Sequence, residues 1–569
     1  MGSNAVGLIK EALQHLVEEA LQRAARSGDL VCAEFPPVEI EVPKNKAHGD
    51  FATAVALSMA RSEKKAPRLI AEKIIAHALA ILSAPSTTTP LRVERIELAG
   101  PGFINFFLHP AWLQDQVRVI RQADTAFGTS DIGGGERVQV EFVSANPTGP
   151  LNIVNARAAA VGDTLARLLA ATGFAVEREF YVNDAGNQVL KLGRSLEARL
   201  RQAAGEDCPF PADGYPGAYL QDVARALWAA GVAGELLALP EEERIEALAQ
   251  VATERIVAEQ RALLERYGVH FDQWYHERRL RAEKAPEAVL ALLQERGTTY
   301  QAEGAIWFAS TRFGDDKDRV LVKSDGSYTY LLPDIAYHYS KLQRGFTKLL
   351  DLLGPDHHGY IARLQAAVTA LGYPPDTLEV LIVQMVRLLR GGEQVRMSKR
   401  AGEFVTMAEL LDEVGTDAAR FFFLQRACES HLDFDLDLAK VQGNENPVFY
   451  VQYAHARIAS ILRQAKELGY NLSDDVPTAS LQHPAELALL RRMADLPDEV
   501  ASAALAREPH RLTYYAQDLA ALFHAFYTEC RVLGEEAELS QARLALTDAA
   551  RIVLRNTLTL LGVTAPERM

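Results

Sequence analysis

Two stretches of the sequence combine residue types that could bind phosphate groups. The first runs Glu141-Phe-Val-Ser-Ala-Asn-Pro-Thr-Gly-Pro-Leu-Asn-Ile-Val-Asn-Ala-Arg157 and joins a carboxylate and several amides to the start of an apolar periodic segment. The second runs Gln394-Val-Arg-Met-Ser-Lys-Arg-Ala-Gly402 and is basic. Free N–H groups at a helix start can hold an anion, and a cationic loop can close over phosphates. Basic surface loops are also common, so the second stretch on its own is equally typical of an ordinary solvent-exposed loop with no ligand.

The first stretch lies where a predicted strand meets a predicted helix. Alternating apolar residues from Arg137 to Val143 predict a half-buried strand. Apolar residues at helical spacing follow from Ile153 to Leu169, and either Asn152 or Asn155 can cap that helix. Gly173 stands where a C′ glycine belongs, and a second strand is predicted over Ala175–Val182. This is the pattern of a βαβ unit, whose ligands bind at the carboxyl end of the first strand.

Composition limits the class of protein. A chain of 569 residues with 48% apolar content can hold about three or four domains. The net charge of −15 argues against coating nucleic acid through bulk positive potential, although local basic patches remain possible. The four cysteines form no CxxC pair, and no run of 18 apolar residues occurs. We therefore expect a cytoplasmic protein with no membrane association and no tightly bound metal.

The order of patterns along the chain predicts three domains. Residues 1–115 read as an additional N-terminal α+β domain, and residues 116–435 read as an α/β domain with a Rossmann-like parallel sheet. A helical insertion is predicted at about 188–290, after which the strands of the doubly wound sheet resume at Ala305–Phe308 and Val320–Val322. From Asp417 no further strand is predicted, and residues 436–569 read as an all-α bundle.

The two basic and amide-rich stretches, in this order and both at predicted sheet ends, resemble the signature motifs of class I aminoacyl-tRNA synthetases. Further matching segments narrow the resemblance to bacterial-type arginyl-tRNA synthetases, and these segments are spread over the chain from end to end. The matching segments are His48-Gly-Asp-Phe-Ala52, Gly100-Pro-Gly-Phe-Ile-Asn105, Tyr181-Val-Asn-Asp-Ala-Gly-Asn187, Tyr328-Thr-Tyr-Leu-Leu-Pro-Asp334, Gly354-Pro-Asp-His-His-Gly359, Asp433-Phe-Asp-Leu-Asp437, Tyr450-Val-Gln-Tyr-Ala-His-Ala-Arg457 and the closing Leu560-Leu-Gly-Val-Thr-Ala-Pro-Glu-Arg-Met569.

The resemblance implies an arginine–tRNA ligase that converts L-arginine and MgATP to arginyl-adenylate and transfers arginine to tRNA(Arg). It assigns Glu141, Asn146, Tyr330 and Asp334 to the binding of arginine. The chemistry is consistent with this, because a carboxylate can take the rigid guanidinium fork bidentately and lysine cannot imitate that geometry.

For ATP, the family's first motif reads His-x-Gly-His, whereas this chain has Asn152-Ile153-Val154-Asn155. Asparagine keeps an N–H₂ donor, whereas Val154 replaces a glycine that leaves room for the adenine ring. The resemblance gives catalytic roles to Lys399, Asn152 and Asn155, and the other nucleotide contacts that it implies are Val154, Asp356, His357, Arg396, Met397 and Ser398. Two alternatives stay open: a paralogue with weakened or lost adenylation that binds arginine or tRNA, and a ligase with a changed acceptor.

For tRNA, the resemblance places the N-terminal domain at the outer corner and the bundle at the anticodon. Aromatic side chains can stack on unpaired bases, so the tRNA-binding candidates are Phe103, Asn105, Phe106, Tyr450 and Tyr453. Aromatic residues at helical spacing also form ordinary cores. We expect a monomer.

Overall fold

A computed structural model gives the fold of the chain. It describes residues 5–32, 34–43, 45, 48–84, 92–395, 405–473 and 476–569. No helix of these ranges is both long and apolar enough to cross a membrane. All four cysteines are free thiols.

The N-terminal region folds as helices around a three-stranded antiparallel sheet of order β1-β3-β2. Before this sheet, Glu41 forms an isolated antiparallel bridge with Ala52 of β1. The elements are α1 (Ala5–Arg26), β1 (Phe51–Thr53), α2 (Val55–Glu63), α3 (Pro67–Leu82), β2 (Val93–Ala99), β3 (Phe103–Leu108), α4 (Ala111–Gln114) and α5 (Gln116–Ala123).

The central region contains the parallel sheet that the sequence predicts. Its five strands have the order β11-β10-β4-β5-β6, so the chain starts in the middle, adds two strands on one side and then two on the other. The first half of this region, residues 137–295, contains β4 (Arg137–Glu141), α6 (Ile153–Ala171), β5 (Ala175–Val182), α7 (Asn187–Ala203), α8 (Tyr219–Ala229), α9 (Ala233–Leu237), α10 (Glu241–Arg266), β6 (Gln273–His276), α11 (Glu277–Ala282) and α12 (Ala285–Glu295). The elements that follow are β7 (Thr299–Ala302), β8 (Ala305–Phe308), β9 (Arg319–Val322), α13 (Leu331–Gln343), β10 (Lys348–Leu353), α14 (Ile361–Ala370), β11 (Leu378–Ile382), β12 (Val386–Arg390), β13 (Glu393–Gln394), α15 (Met407–Val414), α16 (Thr416–Phe423), β14 (Leu432–Asp435) and α17 (Leu436–Lys440).

Three sequence predictions about this region are wrong. The helical insertion predicted to reach about residue 290 is interrupted by β6, which pairs in parallel with β5. The predicted strands at Ala305–Phe308 and Val320–Val322 do not join the main sheet, because β8 and β9 form a separate antiparallel sheet with β7. A strand also occurs after Asp417, since β14 pairs with β12. Short strands of this kind carry too few residues for their partners to be read from periodicity.

The carboxyl-terminal region is a helical bundle. Its buried face is continuous with the core of the central domain. The helices are α18 (Pro447–Glu467), α19 (Pro484–Ala494), α20 (Leu496–Ala506), α21 (His510–Glu529) and α22 (Ala537–Leu561).

Helix α6 is held closely against β4. Gly162 faces Phe142, and a Cβ on that glycine would lie only 2.2 Å from the ring. Helix α6 is followed, as predicted, by a C′ glycine: Gly173 has a φ of 88°, in the left-handed region. Because Phe142 faces α6, the alternate residue Glu141 faces the opposite side of the sheet, where α13 packs.

Candidate functional site

The candidate site lies at the carboxyl ends of β4 and β10. Strand β4 is the first strand of the sheet and β10 is its neighbour after the chain has crossed back, so the strand order reverses between them. Such a switch point leaves a crevice in which α/β proteins bind ligands.

The turn after β4 is strained. Val143 and Ser144 have φ values of 68° and 37°, in the left-handed region that β-branched residues rarely occupy. The Ser144 hydroxyl donates to Glu141 Oε1 at 2.8 Å and accepts from the Tyr181 backbone N–H at 3.1 Å. These bonds hold the strained turn over the end of the sheet.

Glu141 is buried and already has partners. Only 6% of its surface is exposed, and its Oε2 accepts from the Lys341 ammonium at 2.5 Å. Each carboxylate oxygen has two lone pairs, so the carboxylate retains the capacity to accept a further donor.

Asp334 lies in the first turn of α13 and lines a cavity of about 770 Å³. Its carboxylate accepts no hydrogen bond from the residues that the structure describes, and the residue is half-buried at the cavity wall. Burial raises the pKa of Asp334 to about 7; the charges of Glu277 and Glu141 add to the rise, and His338 opposes it. An unpaired acidic group in a cavity is the expected form of a site that awaits a cation.

Other predicted arginine contacts surround this cavity. Tyr330 lines it, with 85% of its surface exposed. Asn146 is exposed and accepts from Asn183 Nδ2 at 3.3 Å, and Asn183 is part of the cavity wall. Asn146 therefore lies near the rim of the cavity, outside the lining residues.

Four charged residues of the cavity wall were not predicted from the sequence: Glu277, Arg281, Glu287 and Lys323. Arg281 donates to Glu277 Oε1 through Nε at 2.9 Å and through an NH₂ group at 2.6 Å. Their spacing of four residues in α11 is a common helical ion pair, so the sequence carries no signal that separates them from a surface pair.

Asn152 and Asn155 form a reciprocal cap at the start of α6. Asn152 Oδ1 accepts from the backbone N–H groups of Val154 and Asn155, at 2.9 and 3.1 Å. Asn155 Oδ1 in return accepts from the Asn152 backbone N–H at 3.0 Å. Because both amide oxygens accept from backbone donors, the N–H₂ groups are left available, and neither has a partner among the described residues.

The segment that follows the second motif in the chain contacts this helix start. Met407 donates its N–H to the Leu151 carbonyl at 2.8 Å, and Thr406 forms a bridge with Asn152. Arg396, Met397, Ser398 and Lys399 lie outside the described residues, which stop at Val395 and resume at Val405. Asp356 and His357 are exposed in the turn that follows β10.

The residues predicted to contact tRNA differ in accessibility. Phe106 is fully buried in the N-terminal core, so the prediction that it stacks on a base is wrong. Asn105 exposes 4% of its surface and Phe103 exposes 38%. In the bundle, Tyr450 is half-buried against His524, and Tyr453 is 38% exposed.

Comparisons with known proteins cover the whole chain. The family models of the arginyl tRNA synthetase N-terminal domain, the catalytic domain of class I (R) tRNA synthetases and the DALR anticodon binding domain match residues 11–108, 241–426 and 451–569. The arginine–tRNA ligases of Heliobacterium modesticaldum and Geobacillus thermodenitrificans are 51% and 50% identical to it, and each match covers 100% of both chains. The structure is also similar to that of Thermus thermophilus arginyl-tRNA synthetase, with a TM-score of 0.75 and 23% identity over 98% of this chain and 100% of that one.

Proposed function

The chain belongs to the arginine–tRNA ligase family of class I synthetases, and we propose that its switch-point crevice carries out both steps of arginine ligation. In the first step the arginine carboxylate attacks the α-phosphorus of ATP, and pyrophosphate leaves. In the second step a hydroxyl of the terminal ribose of tRNA(Arg) attacks the arginyl carbonyl, and AMP leaves. The observation that carries the proposal is the unpaired Asp334 carboxylate in a cavity beside this crevice.

The arginine side chain binds with its guanidinium against Asp334. The guanidinium supplies the cation that this half-buried carboxylate lacks among the described residues, and its flat fork can donate two parallel hydrogen bonds to it. Glu141 accepts a further donor from the same side, and Tyr330 closes over the ligand from the cavity mouth. Asn146 at the rim contacts the α-amino acid end. A neutral or shorter side chain would leave Asp334 unpaired, which can account for discrimination of about 10⁴-fold without editing.

ATP binds at the start of α6, with the amide N–H₂ groups of Asn152 and Asn155 as donors to its phosphates. The reciprocal cap supports this, because it occupies both amide oxygens and leaves both amide nitrogens without a partner in the part of the chain that the structure describes. These donors take the place of the two histidines in the family's usual first motif. A preorganised donor of this kind is worth about 10²–10³ in rate.

Val154 is the remaining departure from that motif. Its side chain is half-buried and packs against the main hydrophobic core. We propose that this packing withdraws part of the valine from the adenine position. The rest of the nucleotide is bound by Asp356, His357, Arg396, Met397, Ser398 and Lys399, with Mg²⁺ on the phosphates and Lys399 as the catalytic cation.

The tRNA contacts both outer regions of the chain. Residues 1–115 serve as the additional domain at the tRNA outer corner, where the exposed Phe103 stacks on an unpaired base. Residues 436–569 bind the anticodon through Tyr450 and through Tyr453, whose ring lies 5.9 Å from the guanidinium of Arg457. Residues 116–435 form the catalytic domain. We propose that the protein acts as a monomer in the cytoplasm.

Arginine-dependent exchange of pyrophosphate into ATP, measured with and without tRNA(Arg), tests the proposal. We expect exchange by the unaltered protein, with tRNA required as the family resemblance implies. Absence of exchange under both conditions, with tRNA still bound, would refute adenylation.

The triple variant Asn152→His, Val154→Gly and Asn155→His provides the matched comparison. If the amides replace the histidines as proposed, restoring the usual motif changes the exchange rate by less than about 10²-fold, the value of one such donor. Exchange that appears only in the triple variant would show that the native amides do not support the chemistry.

A further inference from the structure

A continuous chain of buried hydrogen bonds joins Glu141 to the helix turn that carries Asp334. Glu141 Oε2 accepts from Lys341 Nζ at 2.5 Å, and the same ammonium donates to Asp351 Oδ1 at 2.8 Å. Asp351 Oδ2 in turn lies 2.8 Å from His338 Nε2. His338 Nδ1 lies 2.7 Å from the backbone carbonyl oxygen of Asp334. The chain of bonds therefore runs from β4 to β10 and back to the first turn of α13.

His338 is an imidazolium in this arrangement. The Asp334 carbonyl can only accept, so Nδ1 carries a proton; Asp351 is held as a carboxylate by Lys341, so Nε2 carries one as well. Burial alone would lower the pKa of His338, but the hydrogen bond and charge of Asp351 outweigh it and raise the pKa. Burial also disfavours the charged form of Asp351, yet Lys341 and His338 hold its pKa well below the ordinary value.

These charges are costly to bury. Lys341 is fully buried, Asp351 is 2% exposed and His338 is 6% exposed. Apolar residues of similar volume would attach α13 to the sheet at least as well, because desolvation of ions usually offsets their attraction. The ion pairs add defined geometry, because each of their hydrogen bonds fixes the distance and angle between a group on α13 and a group on a strand.

We propose that Lys341, Asp351 and His338 form a positioning relay that sets the separation and orientation of Glu141 and Asp334. The relay touches no substrate and acts through these two carboxylates. It rests on the proposed arginine pocket and adds the residues that give that pocket its dimensions. Since a displacement of about 1 Å at a reacting or binding group can cost 10²-fold, a relay with short fixed bonds is suited to selecting one cation shape.

The test compares binding of L-arginine and of ATP, each measured separately by calorimetry, in Lys341→Met and Asp351→Asn. Both variants break the relay, and Asp351→Asn preserves the shape of the side chain. We expect the Kd for arginine to rise about 10- to 100-fold, as for other groups that orient a binding residue, while the Kd for ATP changes less than about twofold.

Tyr337→Phe is the matched control. Tyr337 lies on the same buried face of α13, and its hydroxyl donates to Glu179 at 2.5 Å, outside the relay. Its ring also packs 4.6 Å from Lys341 Nζ, and phenylalanine preserves that contact. We expect this variant to bind arginine with a Kd within about twofold of the unaltered protein, because a lost hydroxyl outside the relay moves neither carboxylate.

The outcomes separate the relay from the pocket. If the unaltered protein binds ATP but no arginine, the proposed pocket is wrong. If it binds arginine and both relay variants bind it equally well, the relay is wrong. The relay is also overturned if all three variants, Tyr337→Phe included, weaken arginine and ATP alike in step with a fall in Tm, since that marks a general loss of packing. If Lys341→Met does not fold, Asp351→Asn decides.

Discussion

Arginine binding should weaken sharply as the pH falls below neutrality. A protonated Asp334 cannot pair with a guanidinium, so its proton must leave before arginine binds. The pKa of Asp334 in the free protein is about 7, raised mainly by burial. The groups that face it are the ring of His338, the carboxylates of Glu277 and Glu141, and the hydroxyls of Tyr181 and Tyr360, which stay neutral in this range.

The size of the effect follows from that pKa. The apparent Kd equals the Kd of the ionised form multiplied by a factor of one plus the ratio of protonated to ionised Asp334. For a pKa of about 7, this factor is about 11 at pH 6 and about 1.1 at pH 8. Affinity should therefore fall about tenfold from pH 8 to pH 6, and at pH 7 about half a proton should leave for each arginine bound.

Calorimetry in buffers of different ionisation enthalpy measures both quantities. Asp334→Asn should bind arginine far more weakly and should show no such dependence on pH. A Kd that stays constant between pH 6 and pH 8, or binding with no proton release at pH 7, would refute the assignment of Asp334 as the guanidinium partner.

The same carboxyl group should destabilise the folded protein at high pH. Its folded-state pKa of about 7 exceeds the ordinary 3.8, so the folded protein binds this proton more tightly than the unfolded chain does. The favourable contribution is complete below about pH 4 and is lost as the pH rises through 7. Asp334→Asn should therefore raise the free energy of unfolding at pH 8 by at most about 4 kcal/mol, and urea titrations at pH 5 and pH 8 would measure the difference. A variant that is less stable than the unaltered protein at pH 8 would contradict this account.

Three further changes test separate parts of the molecule. Asn155→Asp keeps the oxygen that caps α6 but replaces the free N–H₂ with a negative charge, so exchange should fall by about 10²-fold or more with little change in Tm; an unaltered rate would remove Asn155 from the phosphate site. Tyr453→Ala should weaken tRNA binding by about 1–3 kcal/mol and leave the Kd for arginine unchanged, which filter binding and calorimetry can compare. Arg420→Met removes one of three guanidinium partners of Asp163, whose Oδ2 accepts from it at 2.6 Å, while Arg167 and Arg178 remain, so it should cost about 1–3 kcal/mol in urea unfolding. A loss below about 1 kcal/mol would mean that the pair contributes no more than a surface ion pair does.

Several features of the site could be read directly from local sequence. The strand before Glu141, the cap at Asn152 and the C′ glycine at Gly173 are all decided within a few residues of their own positions. Alternation, capping and left-handed turns depend on neighbouring side chains and backbone, so their patterns survive in the linear chain. The roles of the individual site residues in binding arginine, ATP and tRNA were predicted from the family resemblance.

The sequence could not show which groups become partners across the fold. Glu141 is bonded to Lys341, 200 positions away, and the pattern of α13 gives no sign that this lysine is fully buried. Phe103 and Phe106 look alike in sequence, yet one is exposed and the other lies in the core.

The sequence by itself therefore determined the βαβ unit, the two asparagines that could cap its helix and the set of chemical groups available to the site. Only the tertiary structure decided which carboxylate is already paired, which one has no partner among the described residues, and where β6 lies in the sheet. The physical reason is that pairing and burial depend on groups brought together by long-range packing, where desolvation makes each unpaired charge costly and each paired one directional.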